Sequence, residues 1–455
     1  MFEIEELNNF IKNSKNEFEE KLAALIELPS ISMDPERKSD IFNCASLASE
    51  LLKALGAEVE IFQTKGNPIV FGKFIANKKN PSVGIYNHLD VQPANEPQWQ
   101  QEPFKISIKD DIYFGRGTTD DKGPALTLLL AAKFAIENDF PLNFYFIYEF
   151  EEEIGSPNFS YFLNSKISEL KKIDSFLISD TEWISKDKPS ITYGLRGILA
   201  LKLILETAKK DVHSGTAGGA ARNPLGELCQ LIANCYDAKT GLVKIPNFYR
   251  NVRKASTKEI NYLAKSFDLN YFKTVNELKS LRCKSKIEVV KKIYSEPTFE
   301  VHGIVGGYTG EGIKTIVPPK TEAKITMRLV PNQKPEEIFS LVKKFVLKQN
   351  KDVKVEYLAS AYPYLVEPSA QLNQFAHEAI KFGFGKEAIF IRCGGSIGAV
   401  SDIWRILKKP IILLGLSWPE NNYHGPNENF SWLQASGGIK AFVKYFELIA
   451  KKAKI

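Results

Sequence analysis

The sequence predicts an α/β fold: a mostly parallel sheet flanked by helices, with a second, α+β domain inserted into it. Three observations lead there. Short apolar runs bounded by Gly, Pro or Asn alternate with longer runs of helical spacing, a pattern that argues a parallel sheet covered on both faces. Several of the strand-like runs lead into acidic residues followed by helix. The style then changes after Gly197 and returns at Pro368, which places one domain at 1–197 plus 361–455 and the inserted one at 198–360. At 455 residues the chain exceeds one ordinary core, so two domains are also what its length calls for.

In chain order, Phe18, Leu22, Leu25 and Ile26 recur at helical spacing and stop before Pro29, and a second helix is predicted over 39–55. Runs at 59–62, 69–74 and 83–86 read as strands. The last leads into Asn87-His88-Leu89-Asp90-Val91-Gln92-Pro93. Strand side chains alternate between faces, so His88 and Asp90 should point the same way, close enough for one to hydrogen-bond the other.

A strand-like segment at 111–114 precedes Gly115-Arg116-Gly117-Thr118-Thr119-Asp120-Asp121-Lys122-Gly123-Pro124, and a helix at 125–137 follows. Leu142 to Tyr148, apolar but for Asn143, reads as a strand buried on both faces. It ends in Glu149-Phe150-Glu151-Glu152-Glu153-Ile154-Gly155-Ser156, before a helix at 159–163. A strand at 175–179 leads directly to Asp180-Thr181-Glu182. The inserted domain is predicted to hold strands at 198–207, 298–301, 322–330 and 353–358 and helices at 223–236 and 335–347, with 249–292 charged and irregular. The first style resumes with helices at 371–382, 396–407 and 433–451 around strands at 388–391 and 410–415.

Composition narrows the function. A net charge of +6 is small for this length, and without a block of five or six like charges neither nucleic acid nor an anionic membrane is an expected partner. Five scattered cysteines (Cys44, Cys229, Cys235, Cys283, Cys393) with no CxxC pair read as reduced thiols. The start, Met1 to Glu6, is acidic and lacks a signal pattern, and no apolar run reaches 18 residues. The expectation is a cytoplasmic protein acting on a small molecule.

Histidine is scarce. His377 reads as an ordinary helix residue and His302 borders a Gly-rich loop, while His88, His213 and His424 sit beside glycine or acid in loops. If His88 and the acidic strand ends converge, a carboxylate–imidazole set of borderline hardness suits Zn2+ or Mn2+. The candidates are His88, Asp120, Glu152 or Glu153, Asp180 and His424. A carboxylate shared by two ions would hold them roughly 3.5–4 Å apart, the spacing of two-metal hydrolysis. Of two adjacent glutamates, one can bind while the other stays free as general base, passing a proton from an activated water to a leaving amine. Taken singly, each motif also has a plain structural reading: a glycine–acid turn that caps a helix, or a solvated glutamate cluster.

Together the motifs resemble, nearly end to end, the two-metal peptidases and deacylases that include carnosine dipeptidase, aminoacylase, acetylornithine deacetylase and succinyl-diaminopimelate desuccinylase. His88-Leu89-Asp90-Val91-Gln92-Pro93 is similar to the family's His-x-Asp-Val-x-Pro, implying His88 as ligand and Asp90 as the carboxylate that orients it. The resemblance implies Asp120 as the bridging ligand, Glu152 as general base, Glu153 as ligand, Asp180 as partner of His88 on one ion and His424 as partner of Glu153 on the other. The long-form dipeptidases are the most similar, through Pro189 to Gly197, Asp211 to Gly215 and Lys314 to Pro318.

The same resemblance implies that 198–360 is a lid and dimerisation domain, that His213 stabilises the oxyanion in a partner subunit's site, and that Arg328 grips the substrate's terminal carboxylate with Thr315 and Ser396 nearby. Phe150, Cys393, Gly398 and Gly425 depart from the family's usual residues, without removing a ligand or the base. The implied activity is hydrolysis of the amide bond of dipeptides or related small amides with a free carboxylate, by a hydroxide held between two divalent ions per subunit. Zn2+ is the first choice, with Mn2+ or Co2+ as the alternatives, and the protein would be a homodimer through the lid. An N-acyl-amino-acid deacylase is the alternative within hydrolases. A non-catalytic binding protein on the same scaffold is the alternative outside them.

Overall fold

The computed structural model describes residues 2–452. They fall into two compact units: residues 2–193, 366–391 and 397–452 in the first, and 194–365 with 392–396 in the second.

The sheet of the first unit runs in the order 58–62, 69–75, 143–149, 82–88, 175–178, 411–413, 190–195. Its centre is parallel: 82–88 pairs with 143–149 on one side and 175–178 on the other, and 411–413 with 175–178. Antiparallel pairing flanks that centre, at 58–62, 69–75 and 143–149 and again between 411–413 and 190–195. Ser82–His88 and Asn143–Glu149 are buried along their whole lengths, which is why the second is apolar or aromatic from Phe144 to Tyr148. Helices Lys122–Glu137 and Trp432–Lys452 pack on one another.

The turn at 115–124 is reached differently from the expectation. Ile112–Phe114 lies outside the central sheet, in a small antiparallel sheet with Ser107–Lys109 and Asn429–Ser431. Three-residue strands are too short to announce their partners by alternation, and the consequence is topological: 429–431 brings the segment after His424 alongside 115–124. The helix that follows starts at Lys122, one turn before 125. Gly123 permits this, because a Cβ there would lie 2.1 Å from the Thr118 carbonyl oxygen.

In the second unit an antiparallel sheet runs in the order 300–306, 320–329, 197–206, 354–361. Leu199, Leu201, Leu203 and Leu205 alternate onto its covered face and join Leu228, Ile232, Ile338, Val342 and Val346 from helices Pro224–Cys235 and Pro335–Gln349 in one core. Its first strand occupies 300–306 and not 298–301, because the ladder against 320–329 continues past a bulge at Val301 and Gly303 as far as Gly306. The charged stretch at 249–292 carries helices Thr257–Ser266, Leu269–Val275 and Lys286–Ser295, whose first amides are capped by Ser256, Asp268 and Ser285.

Candidate metal centre

Parallel neighbours present their C-terminal ends at one edge of a sheet, and that is where ligand sites form. His88 is the last residue of strand 82–88, Asp180 stands two residues beyond strand 175–178, and Glu153 lies in the single turn Glu152–Ile154 after strand 143–149. Asp120 comes from the glycine-rich turn, and His424 from the loop before 429–431, where its φ is +55°. The five side chains meet. Asp120 Oδ1 is 3.0 Å from His88 Nε2, and Asp120 Oδ2 is 3.0 Å from His424 Nε2. Asp180 Oδ2 is 3.8 Å from His88 Nε2, and Glu153 Oε2 is 3.2 Å from His424 Nε2. The ligand atoms form two sets, His88–Asp120–Asp180 and Asp120–Glu153–His424, each within 4.8 Å, and Asp120 belongs to both.

So many carboxyl groups in so little water repel one another. Burial, with the neighbouring charges of Asp180, Glu153 and Asp90, pushes Glu152 well above the usual carboxylate range. Asp180 is pushed up to about 7 by burial and by Asp120 and Glu153. For Asp120, burial is outweighed by hydrogen bonds to His424 and His88, which hold it below its ordinary value. The imidazoles respond in kind: His424 is raised to about 10 by its bonds to Asp120 and Glu153. Divalent cations fit this donor set, because two imidazoles and three carboxylates of mixed hardness surround a strongly negative point.

The surrounding side chains hold these five in place. Asp90 accepts the backbone N–H of Glu152 at 3.2 Å and of Glu153 at 3.1 Å, so its carboxylate fixes the turn carrying both glutamates. Toward His88 the geometry differs from the expectation: the shortest contact of His88 Nδ1 is the Asp90 main-chain carbonyl at 3.1 Å, with the carboxylate at 3.5 Å. The chain leaves strand geometry after His88, which frees the Asp90 side chain for the glutamate turn. Gln92 Nε2 donates to Glu153 Oε2 at 2.8 Å.

Three further groups carry no role in the motif reading. Glu428 is fully buried and accepts from the backbone amides of Gly117, Thr119 and Asp120 and from Arg116 Nη1; burial pushes its carboxyl up to about 7 against the guanidinium and amides that favour ionisation. Arg116, also buried, donates in addition to the carbonyls of Pro93 and His424. Tyr86 donates to Glu149 at 2.6 Å under the His88 strand end. The Lys122 ammonium donates to the carbonyls of Leu25 and Leu28 at 2.8 and 2.9 Å.

Residues His213, Arg328, Thr315 and Ser396 all belong to the second unit. His213 is exposed, on a two-residue strand paired with Ile316–Val317, and the amide of Ser214 bonds the Thr315 carbonyl at 3.0 Å. Its Nδ1 accepts from the Gly215 amide at 2.9 Å, so in the neutral ring the proton sits on Nε2. Arg328 Nη1 donates to Ser396 Oγ at 3.0 Å.

The chain matches peptidase family M20/M25/M40 over residues 84–448. It is similar to Beta-Ala-His dipeptidase of Mus musculus (28% identical, 99% of this chain and 96% of the relative) and to Cys-Gly metallodipeptidase dug1 of Schizosaccharomyces pombe (29% identical, 98% of each). Among solved structures it is similar to an M20 family metallo-carboxypeptidase, Sso-CP2, from Sulfolobus solfataricus, with a TM-score of 0.87 and 30% identity over 96% of this chain and 99% of that one. A match across this span, carrying the strand ends and both loops that meet at Asp120, means that the chain belongs to peptidase family M20/M25/M40.

Proposed function

We propose that the protein is a metal-dependent dipeptidase that cleaves the amide bond of dipeptides with a free terminal carboxylate. The observation that carries this reading is the pair of donor sets sharing Asp120, with half-buried Glu152 beside them and belonging to neither. His88, Asp120 and Asp180 would hold one divalent ion and Asp120, Glu153 and His424 the other, Zn2+ first by donor chemistry, with Mn2+ or Co2+ as alternatives. Bound there, two such ions would supply Lewis-acid polarisation of the scissile carbonyl and a lowered pKa of water.

The chain's own residues do the rest. Glu152 takes the proton of the attacking water and returns it to the leaving amine. Asp90 keeps Glu152 and Glu153 in register through their backbone amides. His213 offers its Nε2–H to the oxyanion, and the bond from Gly215 supports that tautomer. Arg328, oriented by Ser396, receives the substrate's terminal carboxylate, with Thr315 as a further substrate contact. We assign 198–360 as a lid through which two copies pair, so that His213 serves the partner's site, and we assign the protein to the cytoplasm.

The named activities of the similar proteins, Beta-Ala-His and Cys-Gly dipeptidases, support dipeptides as the substrate class. The test is a panel of dipeptides, acetylated amino acids and succinylated amino acids, measured before and after chelation and with metal added back. Dipeptides should turn over fastest, only with metal. Preference for the acylated amino acids would make the protein a deacylase, and no metal-dependent turnover of any amide would leave a binding protein.

A further inference from the structure

The two donor sets are built with unequal support. His88 and Asp180 stand at or just past the ends of neighbouring parallel strands, with side chains 1% and 11% exposed. His424 is 56% exposed and stands in a loop, at positive φ. Asn427 ties the far part of that loop to the Gln98 carbonyl and the Gln100 amide. At His424 itself the loop is reached from the Asp120 turn by Arg116.

The Arg116 guanidinium makes three hydrogen bonds at once, and it also lies 3.8 Å from Glu96 Oε1 and over the Trp99 ring. Nη1 bonds Glu428 Oε2 at 2.9 Å, and Nη2 bonds the carbonyls of Pro93 at 3.0 Å and His424 at 3.3 Å. Glu428, four residues after His424, then grips the turn that carries Asp120: Oε2 accepts the Gly117 amide at 3.0 Å, and Oε1 accepts those of Thr119 at 2.9 Å and Asp120 at 3.1 Å. The pair therefore clamps the His424 loop to the Asp120 turn from both ends. Asp120 has other support, since its turn is closed by the Thr118 hydroxyl on the Gly115 carbonyl at 2.8 Å and the Lys122 amide on the Gly117 carbonyl at 3.0 Å. The backbone of His424 has the Arg116 bond and the turn of Gly425 onto Asn422 at 2.9 Å.

We infer that Arg116 and Glu428 are positioning residues that set the distance between His424 and Asp120, so that uptake of the ion on the His424 side depends on them while uptake on the His88–Asp180 side does not. This rests on the two-ion reading above. A guanidinium is needed because two carbonyls and a carboxylate must be met by one planar fork, and a lysine at 116 can answer only part of that set. Glutamine at 428 presents one oxygen and one NH2, so either the Thr119 and Asp120 amides or the Gly117 amide and the Arg116 guanidinium would face a donor.

The test is titration of the chelated, full-length protein with manganese(II) chloride, resolving two binding steps, with thermal midpoints of the metal-free proteins measured alongside. His424→Ala and His88→Ala assign the steps. Arg116→Lys should weaken the His424-side step by about 10–100-fold, the usual effect of losing a group that orients a metal ligand, and leave the other step within about threefold. Glu428→Gln should do the same, and serves if one variant folds poorly. A purely structural role would lower the metal-free midpoint and weaken both steps equally, and that result, or two unchanged steps, overturns the inference. If the wild-type protein takes up fewer than two ions, the two-ion reading falls first, and this inference with it.

Discussion

The side-chain amide of Asn87 donates to the Asp121 carboxylate at 2.7 Å, and both side chains are fully buried. Asp121 is thereby turned toward the strand end and away from the shared point at Asp120. Burial and the neighbouring Asp180 charge push its carboxyl well above the ordinary range, so an amide replaces it with little electrostatic change. Asp121→Asn should keep its metal and lose about 1 kcal/mol of stability or less, the scale of one hydrogen bond. Asp120→Asn should lose metal and activity together. Metal analysis after gel filtration, with turnover of the same samples, checks the ranking; the reverse order would move the shared ligand by one residue.

Glu152→Gln should keep both ions and lower kcat by about 10²–10⁴-fold, the usual contribution of a general base. The Asp90 bond to the Glu152 amide survives this substitution, so the turn and its neighbour Glu153 stay in place. Wild-type turnover with metal bound would remove Glu152 from the mechanism.

For His213 the informative quantity is the split between turnover and metal content. His213→Ala removes the Nε2–H donor and should lower kcat by about 10²–10³-fold, as for other oxyanion donors, with metal content unchanged. Sedimentation at several concentrations completes the measurement: a monomer at every concentration would exclude action across subunits.

Arg328→Met should raise KM for dipeptides by about 10-fold or more, from loss of a charge-assisted bond worth about 1.5–3 kcal/mol, and should leave the weak cleavage of carboxamide-capped dipeptides unaltered. Equal effects on both substrates would mean that Arg328 serves Ser396 and the fold, through the 3.0 Å bond between them.

Much of this was legible in the sequence, and the boundary has a physical cause. The central strands could be read because full burial leaves their middles apolar or aromatic, as in 144–148, and the helices because their apolar spacing holds over several turns. His88, Asp120, Asp180 and His424, with Glu152 or Glu153, could be nominated as scarce histidines and acids in turns and after strands, and the family resemblance implied Glu153 as the ligand of the two. Their supports could not. Glu428 lies more than 300 residues from the amides it holds, and only the pairing of 429–431 with 112–114 makes them neighbours. Asp90 showed a similar limit: its place beside His88 was evident, but its carboxylate is committed to amides more than 60 residues away. Short strands at 107–109 and 190–195 passed unnoticed, since three residues carry no periodicity and Ser190–Leu195 is buried without alternation.

Lys122 gives the N-terminal helices a second meaning. Its ammonium is buried and rests on the carbonyls that end helix Lys15–Ile26 and begin the next turn. The family match begins at residue 84, which makes that an inviting place to trim the chain. A protein trimmed there would leave a lysine charge two residues from Asp120 without either oxygen. Residues 15–28 thus close the Asp120 turn from beneath through these two carbonyls, and a shortened chain should keep them.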